Sequence, residues 1–269
     1  MIEEIILLGL LGLVFGSGLE LASRKLAVPV DERVEKIEDL LPGANCGACG
    51  FAGCNDFAAE LVNDPSLLPK CALLAPEERR EIGELLGIEV KEEKPKVAKV
   101  MCTGESKVAF EYHGAQECAA AASLMGGFLK CEYGCLGFGD CVRACPFDAI
   151  KLEDRRAVVI EEKCTGCGIC VDVCPRGVIK LFPKDLKVLL RCNSPEPGKV
   201  VGLACKRGCI ACRLCEKACP IDAIKMENNL PVIDQELCDS CGECIKACPT
   251  KVLELLSLKG QASDSEKRT

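Results

Sequence analysis

The sequence has few aromatic residues and a single histidine, and both shortages restrict what the protein can be. Its 269 residues include no Trp, two Tyr and eight Phe, so aromatic side chains make up only 4% of the chain. Large buried rings normally dominate a conventional apolar core, so we expect small modules that are held together in another way. With one His and no convincing Ser/His/Asp set, the composition argues against hydrolytic and acid/base catalysis.

Cysteine is the residue in excess. The chain contains 24 Cys, a density typical of a disulfide scaffold or of a protein that binds metal through thiolates. Because 24 is six times four, the number itself suggests cysteines that act in groups of four. The redox compartment decides between disulfides and metal.

An uncharged apolar run, residues 5–19, follows Glu3 and Glu4 and precedes Arg24 and Lys25. A secretory signal carries its positive charge before the apolar run and a small-residue cleavage site after it, so the run is not a signal peptide. At ~1.5 Å per residue it covers roughly 22 Å of a ~30 Å hydrocarbon core, so the flanking residues must contribute. We expect a transmembrane helix here, and the alternative is a buried N-terminal helix.

The charges beside this run predict a location for the rest of the chain. Arg24 and Lys25 lie after the apolar run, and positive charge stays on the cytoplasmic side. The expectation is a single-pass protein of the cell inner (plasma) membrane with its soluble modules in the cytoplasm. A reducing compartment disfavours disulfides, so metal binding becomes the leading explanation of the cysteines.

Three runs have the spacing C-x2-C-x2-C-x3-C-P, which is typical of ferredoxins that carry two [4Fe-4S] clusters. Three thiolates on one loop bind one cluster, and the fourth cysteine ligates the neighbouring cluster. Zinc is the competing metal, but zinc modules normally use two separated C-x2-C pairs or His ligands. The runs are Cys164, Cys167, Cys170, Cys174; Cys209, Cys212, Cys215, Cys219; and Cys238, Cys241, Cys244, Cys248. By this rule, Cys209, Cys212 and Cys215 pair with Cys248, and Cys238, Cys241 and Cys244 pair with Cys219.

A fourth cysteine run departs from the pattern, because Phe138 occupies the position that corresponds to Cys212. Cys131, four residues before Cys135, is the natural substitute for the missing ligand. The interpretation is one cluster on Cys131, Cys135, Cys141 and Cys174 and another on Cys164, Cys167, Cys170 and Cys145. The alternative is that the first of these two sites is degenerate and binds nothing.

Two further sets of four complete the count. Cys46, Cys49, Cys54 and Cys71 have the spacing C-x2-C-x4-C-x16-C among glycines, which permit close approach of the backbone to a bulky cluster; they predict a fifth cluster, or a zinc site. Cys102, Cys118, Cys192 and Cys205 are two corresponding pairs. They form a sixth cluster if the pairs meet, or they are buried free cysteines.

An internal repeat defines the organisation of the chain. Residues 97–102, 134–135, 141–150 and 164–175 correspond to residues 187–192, 208–209, 215–224 and 238–249. The fold class is α+β: an N-terminal transmembrane helix, a small helical Fe–S module, and tandem ferredoxin-like 2[4Fe-4S] modules. The predicted domains are a membrane anchor (1–26), an N-terminal 4Fe-4S module (27–88), a linker (89–99), a first (100–186) and a second (187–256) ferredoxin-like repeat, and a disordered tail (257–269).

Positive charge is concentrated in residues 176–225, where eleven Lys and Arg face four Asp and Glu, although the whole chain has a net charge of −7. Such a basic face would steer an acidic redox partner, for example a small ferredoxin. Alternatively, these charges offset the negative clusters. Nucleic-acid binding is not expected, because no aromatic residues are interleaved with the basic ones.

The apolar N-terminus, the segment VPVDERVEKIEDLLPGANCGACGFAGC (residues 28–54) with Cys71, and the repeats containing CPFDAI and CPRGVIKL together resemble the B subunit of the Rnf complex, the ion-translocating ferredoxin:NAD oxidoreductase. The likeness covers nearly the whole chain outside the tail. It implies that reduced ferredoxin donates electrons, which the [4Fe-4S] clusters pass to other subunits of the complex at the membrane. The family's ligands carry over to Cys46, Cys49, Cys54 and Cys71 and to the ferredoxin runs.

The resemblance makes the chain part of an enzyme without a catalytic residue of its own. No phosphate-binding loop or flavin motif is present, so NAD and flavin would bind elsewhere in the complex. The competing functions are a polyferredoxin-like electron storage or assembly protein and a zinc-stapled interaction module.

Overall fold

The structure is a computed structural model that describes residues 2–26, 31–90 and 94–256. Helix α1 (Ile2–Leu26) comes first, and the predicted disordered tail, residues 257–269, lies outside the described residues. The small helical module follows, with α2 (Glu32–Leu40), α3 (Cys54–Asn63), a 3₁₀ turn (Pro65–Lys70) and α4 (Pro76–Leu86). The rest of the chain consists of short strands and helices.

The predicted transmembrane helix is wrong. Within the described ranges, no helix is both long enough and apolar enough to cross a membrane. The physical reason is that charged residues on both sides confine the apolar run of α1 to residues 5–19, which span roughly 22 Å at ~1.5 Å per residue against the ~30 Å that a membrane needs. The single-pass topology and its cytoplasmic orientation rested on this helix, so both predictions lose their basis.

The structure does not show the alternative, a buried N-terminal helix, either. Along α1, Leu10, Leu13 and Phe15 are 58%, 70% and 64% exposed, so the apolar residues of this helix are not packed into a core.

Local signals in the sequence set the ends of the helices in the small module. The Asp31 carboxylate accepts a hydrogen bond from the backbone N–H of Arg33 at 2.9 Å and caps α2. Helix α4 begins at Pro76 and ends before Gly87, whose φ of 69° is left-handed. The core of the module contains Phe57 from α3 and Ile82 from α4, both almost fully buried.

The two repeats have the same order of elements and the same strand pairing. The first has β1 (Lys96–Val100), α5 (Cys118–Ser123), α6 (Asp140–Arg143), β2 (Ile150–Glu153), β3 (Arg156–Val159), α7 (Ile169–Asp172) and β4 (Ile179–Pro183). The second has β5 (Val188–Leu190), α8 (Gly198–Ala204), α9 (Leu214–Lys217), β6 (Ile224–Glu227), β7 (Leu230–Ile233), α10 (Glu243–Ala247) and β8 (Leu253–Leu255). In each repeat the outer strands pair antiparallel (β1 with β4, β5 with β8), as do the inner strands (β2 with β3, β6 with β7).

The first strand begins inside the segment that the sequence predicts to be a linker. Of residues 89–99, the last four belong to β1, which pairs with β4 from Lys96 opposite Pro183 to Val100 opposite Ile179. Apolar residues on both strands explain this, because Val97, Val100 and Ile179 are each 1% exposed.

The cysteine loops share one backbone conformation. In each, the residue two places after the first cysteine has a positive φ: 80° at Gly137, 72° at Gly166, 52° at Ala211 and 66° at Ser240. This left-handed residue turns the loop sharply enough for successive thiols to face the same side. Glycine is required only where the loop also meets another strand: a Cβ at Gly166 would lie 2.3 Å from the backbone oxygen of Lys96.

Replacing Gly166 with alanine is therefore expected to destabilise the first repeat beyond the left-handed penalty of ~1–2 kcal/mol, because overpacking against the backbone adds about 1–3 kcal/mol. Gly242→Ala is the matched control, since Gly242 also has a positive φ (76°) but no atom within 4 Å of an added Cβ. Chemical denaturation measures both variants. Equal losses for the two would contradict the role assigned to the Lys96 contact.

Candidate iron–sulfur centres

Four cavities in the described residues are each lined by a set of four thiols, and Cys167 also lines the first of them. They are lined by Cys46, Cys49, Cys54 and Cys71 (site 1); Cys118, Cys135, Cys141 and Cys174 (site 3); Cys209, Cys212, Cys215 and Cys248 (site 5); and Cys219, Cys238, Cys241 and Cys244 (site 6). Cavities lined by the same four donors fit one kind of bound group.

The other eight cysteines form two further sets, recognised by their mutual electrostatic effects. Burial, together with smaller contributions from Cys164, Cys167 and Cys145, raises the pKa of Cys170 to about 12 (site 2). Burial likewise raises the pKa of Cys131 to about 11, with added contributions from Cys102, Cys192 and Cys205 (site 4). Every cysteine of the chain thus belongs to one of six sets of four.

Sites 1, 2, 5 and 6 contain the residues that the spacing groups together, but Cys118 and Cys131 are exchanged relative to the sequence prediction. Cys118, expected with Cys102, lines site 3 beside Cys135. Cys131, expected with Cys135, lies in site 4 beside Cys102. The thiol that replaces the ligand missing at Phe138 therefore comes from the start of α5 and not from the nearest cysteine in sequence.

Asp140 explains the position of Cys118. Its carboxylate accepts hydrogen bonds from the backbone N–H groups of Cys118 and Ala119, at 2.9 and 3.1 Å. Asp140 directly precedes Cys141, so these bonds tie the first turn of α5 to the cysteine loop of site 3. A carboxylate at a helix N-terminus is favourable both as a hydrogen-bond acceptor and as a negative charge.

Asp140→Ala is expected to lower the free energy of unfolding by about 0.5–2 kcal/mol, because two N–H groups of α5 lose their acceptor. Site 3 should also bind iron less tightly, since Cys118 is no longer held near Cys141. Denaturation and iron content measure the two effects. Asp140→Asn keeps one acceptor oxygen and should fall between the wild type and the alanine variant; a wild-type result for both would remove Asp140 from this role.

Ser106 explains the position of Cys131. The Ser106 hydroxyl accepts a hydrogen bond from the backbone N–H of Cys131 at 3.2 Å, and Ser106 forms an isolated β-bridge with Cys205. Cys131 is thereby linked through one residue to a cysteine of the second repeat. Site 4 is built by both repeats: Cys102 and Cys131 come from the first, and Cys192 and Cys205 from the second.

The thiols fit a cluster with iron better than a protein without metal. Burial raises the pKa of Cys141 to about 12, with further contributions from Cys135 and Cys174. A thiolate in such surroundings is unfavourable unless a bound cation compensates its charge. Backbone N–H groups already point at several sulfurs, including Ala98 N–H to Cys164 Sγ (3.4 Å) and Ala223 N–H to Cys219 Sγ (3.3 Å).

A single metal ion needs donors that converge on one point. Zinc holds its thiolates at about 2.3 Å, which brings the four sulfurs close together. Across residues 2–26, 31–90 and 94–256, no group of three or more Cys, His, Asp or Glu side chains converges in this way. Two buried side-chain atoms without a partner also lie beside the thiols, Thr165 Oγ1 and Arg176 Nε. Both are donors that could face the sulfides of a cluster.

Contacts and electrostatic effects link each site to the next, in the order 1 to 6. Cys167 of site 2 lines the cavity of site 1, and the backbone N–H of Cys135 in site 3 donates to Cys102 Sγ in site 4 at 3.4 Å. The other neighbouring sites are recognised from electrostatics, because a thiol of one site, in addition to burial, raises the pKa of a thiol in the next site. Cys170 acts on Cys141 (sites 2 and 3), Cys192 acts on Cys209 (sites 4 and 5), and Cys215 acts on Cys244 (sites 5 and 6).

Several residues of these sites carry no signal in the sequence. Asp140, Ser106 and Arg176 act through contacts over long sequence separations, such as the 25 positions that separate Ser106 from Cys131. The duplication does offer one signal: Arg176 stands where Thr250 stands in the second repeat, so the two otherwise similar loops differ in charge at this position.

Family models match most of the cysteine-rich part of the chain. Residues 131–181, 163–224 and 208–252 match models described as "4Fe-4S dicluster domain", and residues 41–72 match one described as "Putative Fe-S cluster". Together with the thiol-lined sites, these matches define the class: a protein with several iron–sulfur clusters, at least some of them [4Fe-4S].

Relatives with established names match over nearly the whole length. The chain is 41% identical to the B subunit of the proton-translocating ferredoxin:NAD(+) oxidoreductase complex of Clostridium ljungdahlii, over 88% of this chain and 85% of that protein. It is 40% identical to the B subunit of the ion-translocating oxidoreductase complex of Methanosarcina acetivorans, over 95% and 98%. The corresponding protein of Salmonella typhimurium matches over only 53% of this chain, at 36% identity. The chain belongs to the family of B subunits of these ion-translocating oxidoreductase complexes, the Rnf family.

Proposed function

We propose that this chain is the electron-transfer subunit of a ferredoxin:NAD(+) oxidoreductase complex coupled to ion translocation. It accepts electrons from reduced ferredoxin and relays them to the other subunits of the Rnf complex. The observation that carries the proposal is the line of six sites, each with four thiols, from Cys46 in the small module to Cys241 in the second repeat. A storage protein needs clusters but no such continuous order.

Each site would hold one [4Fe-4S] cluster, which supplies one-electron redox chemistry when bound. The chain's own residues hold the cluster through thiolates, donate N–H groups to the sulfurs, and exclude water where the thiols are buried. Residues of this kind tune the reduction potential of a cluster but transfer no proton. The subunit thus contributes to an oxidoreductase without an acid, base or nucleophile of its own.

The basic segment, residues 176–225, supports an acidic redox partner. Eight of its eleven Lys and Arg are exposed, so most of this charge faces the solvent and not the sites: Lys180, Lys184, Lys199, Lys206, Arg207, Arg213, Lys217 and Lys225. Exposed charge attracts an acidic ferredoxin over a distance and weakens with salt. We propose that ferredoxin docks against these exposed basic residues. Ion translocation takes place across a membrane, and electrons from this chain would pass to the other subunits of the complex that carry it out.

The test is reduction of the purified subunit by reduced ferredoxin under anaerobic conditions, monitored as the loss of cluster absorbance. We expect about 24 iron and about 24 sulfide per chain, from six clusters of four, and reduction that slows as ionic strength rises. Clusters that dithionite reduces but ferredoxin does not would overturn the role as ferredoxin acceptor. Zinc in place of iron would favour the interaction module, and a complex that reduces NAD without this subunit would favour storage or assembly.

A further inference from the structure

Arg176 lies between sites 3 and 4. It lines the cavity of site 3, and its guanidinium donates hydrogen bonds to the backbone oxygens of Gly126 and Glu132, the second of which follows Cys131 of site 4. Gly127 leaves the necessary room, because a Cβ there would lie 2.4 Å from Arg176 Nη2. One cationic side chain therefore borders two adjacent sites.

No carboxylate of the described residues forms an ion pair with this guanidinium. Its Nε atom is buried and has no hydrogen-bond partner. The side chain is half-buried, and its negative neighbours are the Glu132 carboxylate and two thiols, Cys131 of site 4 and Cys174 of site 3. Thiolates and the clusters they would hold on either side therefore add to the negative charge around Arg176.

The duplicated repeat supplies an internal comparison. Residues 164–175 correspond to residues 238–249, so Arg176 corresponds to Thr250. Thr250 lines site 5, and its hydroxyl lies 3.6 Å from Cys248 Sγ. Sites 3 and 5 thus have corresponding loops, but a positive charge borders only site 3 at this position.

We propose that Arg176 raises the reduction potentials of the clusters in sites 3 and 4, in the middle of the relay. Reduction adds a negative charge to a cluster, and a nearby cation in poorly solvated surroundings stabilises that charge. Arg176 is a positioning and tuning residue, since it acts through the clusters and is not a ligand. The effect of Arg176 on the potentials is independent of the proposed function, and only its consequence for the electron relay rests on that function.

The experiment compares Arg176→Gln, Arg176→Lys and Arg33→Gln in the full chain, purified anaerobically with its iron and sulfide measured. Potentiometric titration followed by electron paramagnetic resonance gives the midpoint of each cluster. In Arg176→Gln we expect two midpoint potentials to fall, those of sites 3 and 4. At a fixed potential, the ratio of reduced to oxidised cluster should be roughly tenfold lower, which corresponds to ~59 mV for a one-electron couple. Arg176→Lys should retain most of the wild-type value. Arg33 pairs with Asp31 in the small module, so its variant controls for net charge.

The reciprocal variant, Thr250→Arg, should raise one midpoint, that of site 5. Equal shifts in Arg176→Gln and Arg176→Lys would overturn the proposal, because they would mean that the hydrogen bonds to Gly126 and Glu132 matter and the charge does not. Unchanged midpoints at full iron content would also overturn it. If Arg176→Gln loses iron, the lysine and Thr250→Arg variants still decide the question. The titration uses no ferredoxin, so failure of the proposed ferredoxin reaction leaves this result unaffected.

Discussion

Alanine at both Cys118 and Cys135 should remove no more iron than alanine at either one alone, about four of about 24 iron atoms per chain. The two thiols line the same cavity, site 3, so the second substitution acts on a cluster that the first has already disrupted. The effects are expected to be strongly non-additive, as is usual for residues that act as one unit. Iron and sulfide analysis of the two single variants and the double variant measures this directly.

The matched double variant is Cys131→Ala with Cys135→Ala. These cysteines are neighbours in sequence, but they lie in different sites, 4 and 3, so the losses should add to about eight iron atoms. The grouping expected from the sequence makes the opposite prediction for both pairs. Additive loss for Cys118 with Cys135, and non-additive loss for Cys131 with Cys135, would restore that grouping and refute the exchange.

Loss of site 4 should interrupt electron flow through the subunit. Cys102 and Cys131 come from the first repeat, and Cys192 and Cys205 from the second, so this site connects sites 1 to 3 with sites 5 and 6. Cys192→Ala is expected to bring ferredoxin-dependent NAD reduction by the assembled complex close to background, because electron tunnelling weakens steeply with distance. The remaining clusters should still be reduced by dithionite.

Asn193→Ala is the control for this experiment. Asn193 is the next residue, and its side chain donates to the backbone oxygens of Arg176 and Gly177 and lines none of the cavities of sites 1, 3, 5 and 6. It should keep full iron content and near wild-type electron transfer. A Cys192→Ala complex that lacks the site 4 cluster and still reduces NAD at the wild-type rate would refute the single-file order of the sites.

Short-range patterns in the sequence predicted much of the fold. The internal repeat predicted two corresponding units, and the strands of the two pair in the same way. The caps at Asp31 and Gly87 set helix ends through residues a few positions apart. The transmembrane prediction is wrong because the charges on both sides of the apolar run leave it too short to cross a membrane.

The exchange of Cys118 and Cys131 shows what sequence spacing could not decide. Cys131 is four residues from Cys135, and Cys118 is seventeen residues away, so proximity in sequence favours the wrong partner. The positions are fixed by hydrogen bonds that the start of α5 donates to Asp140 and that Cys131 donates to Ser106. Such contacts follow from how loops pack against one another, and no local spacing encodes them.

By itself, the sequence determined that cysteines act in fours and which thiols share a loop, because a C-x2-C-x2-C loop is too short to direct its thiols elsewhere. It also determined the duplication that gives the chain its two similar halves. Only the tertiary structure decided that Cys118 lies in site 3 and Cys131 in site 4, that site 4 joins the two repeats, and that Arg176 borders two sites. The physical reason is that long-range partners are chosen by packing and hydrogen bonding of the folded loops.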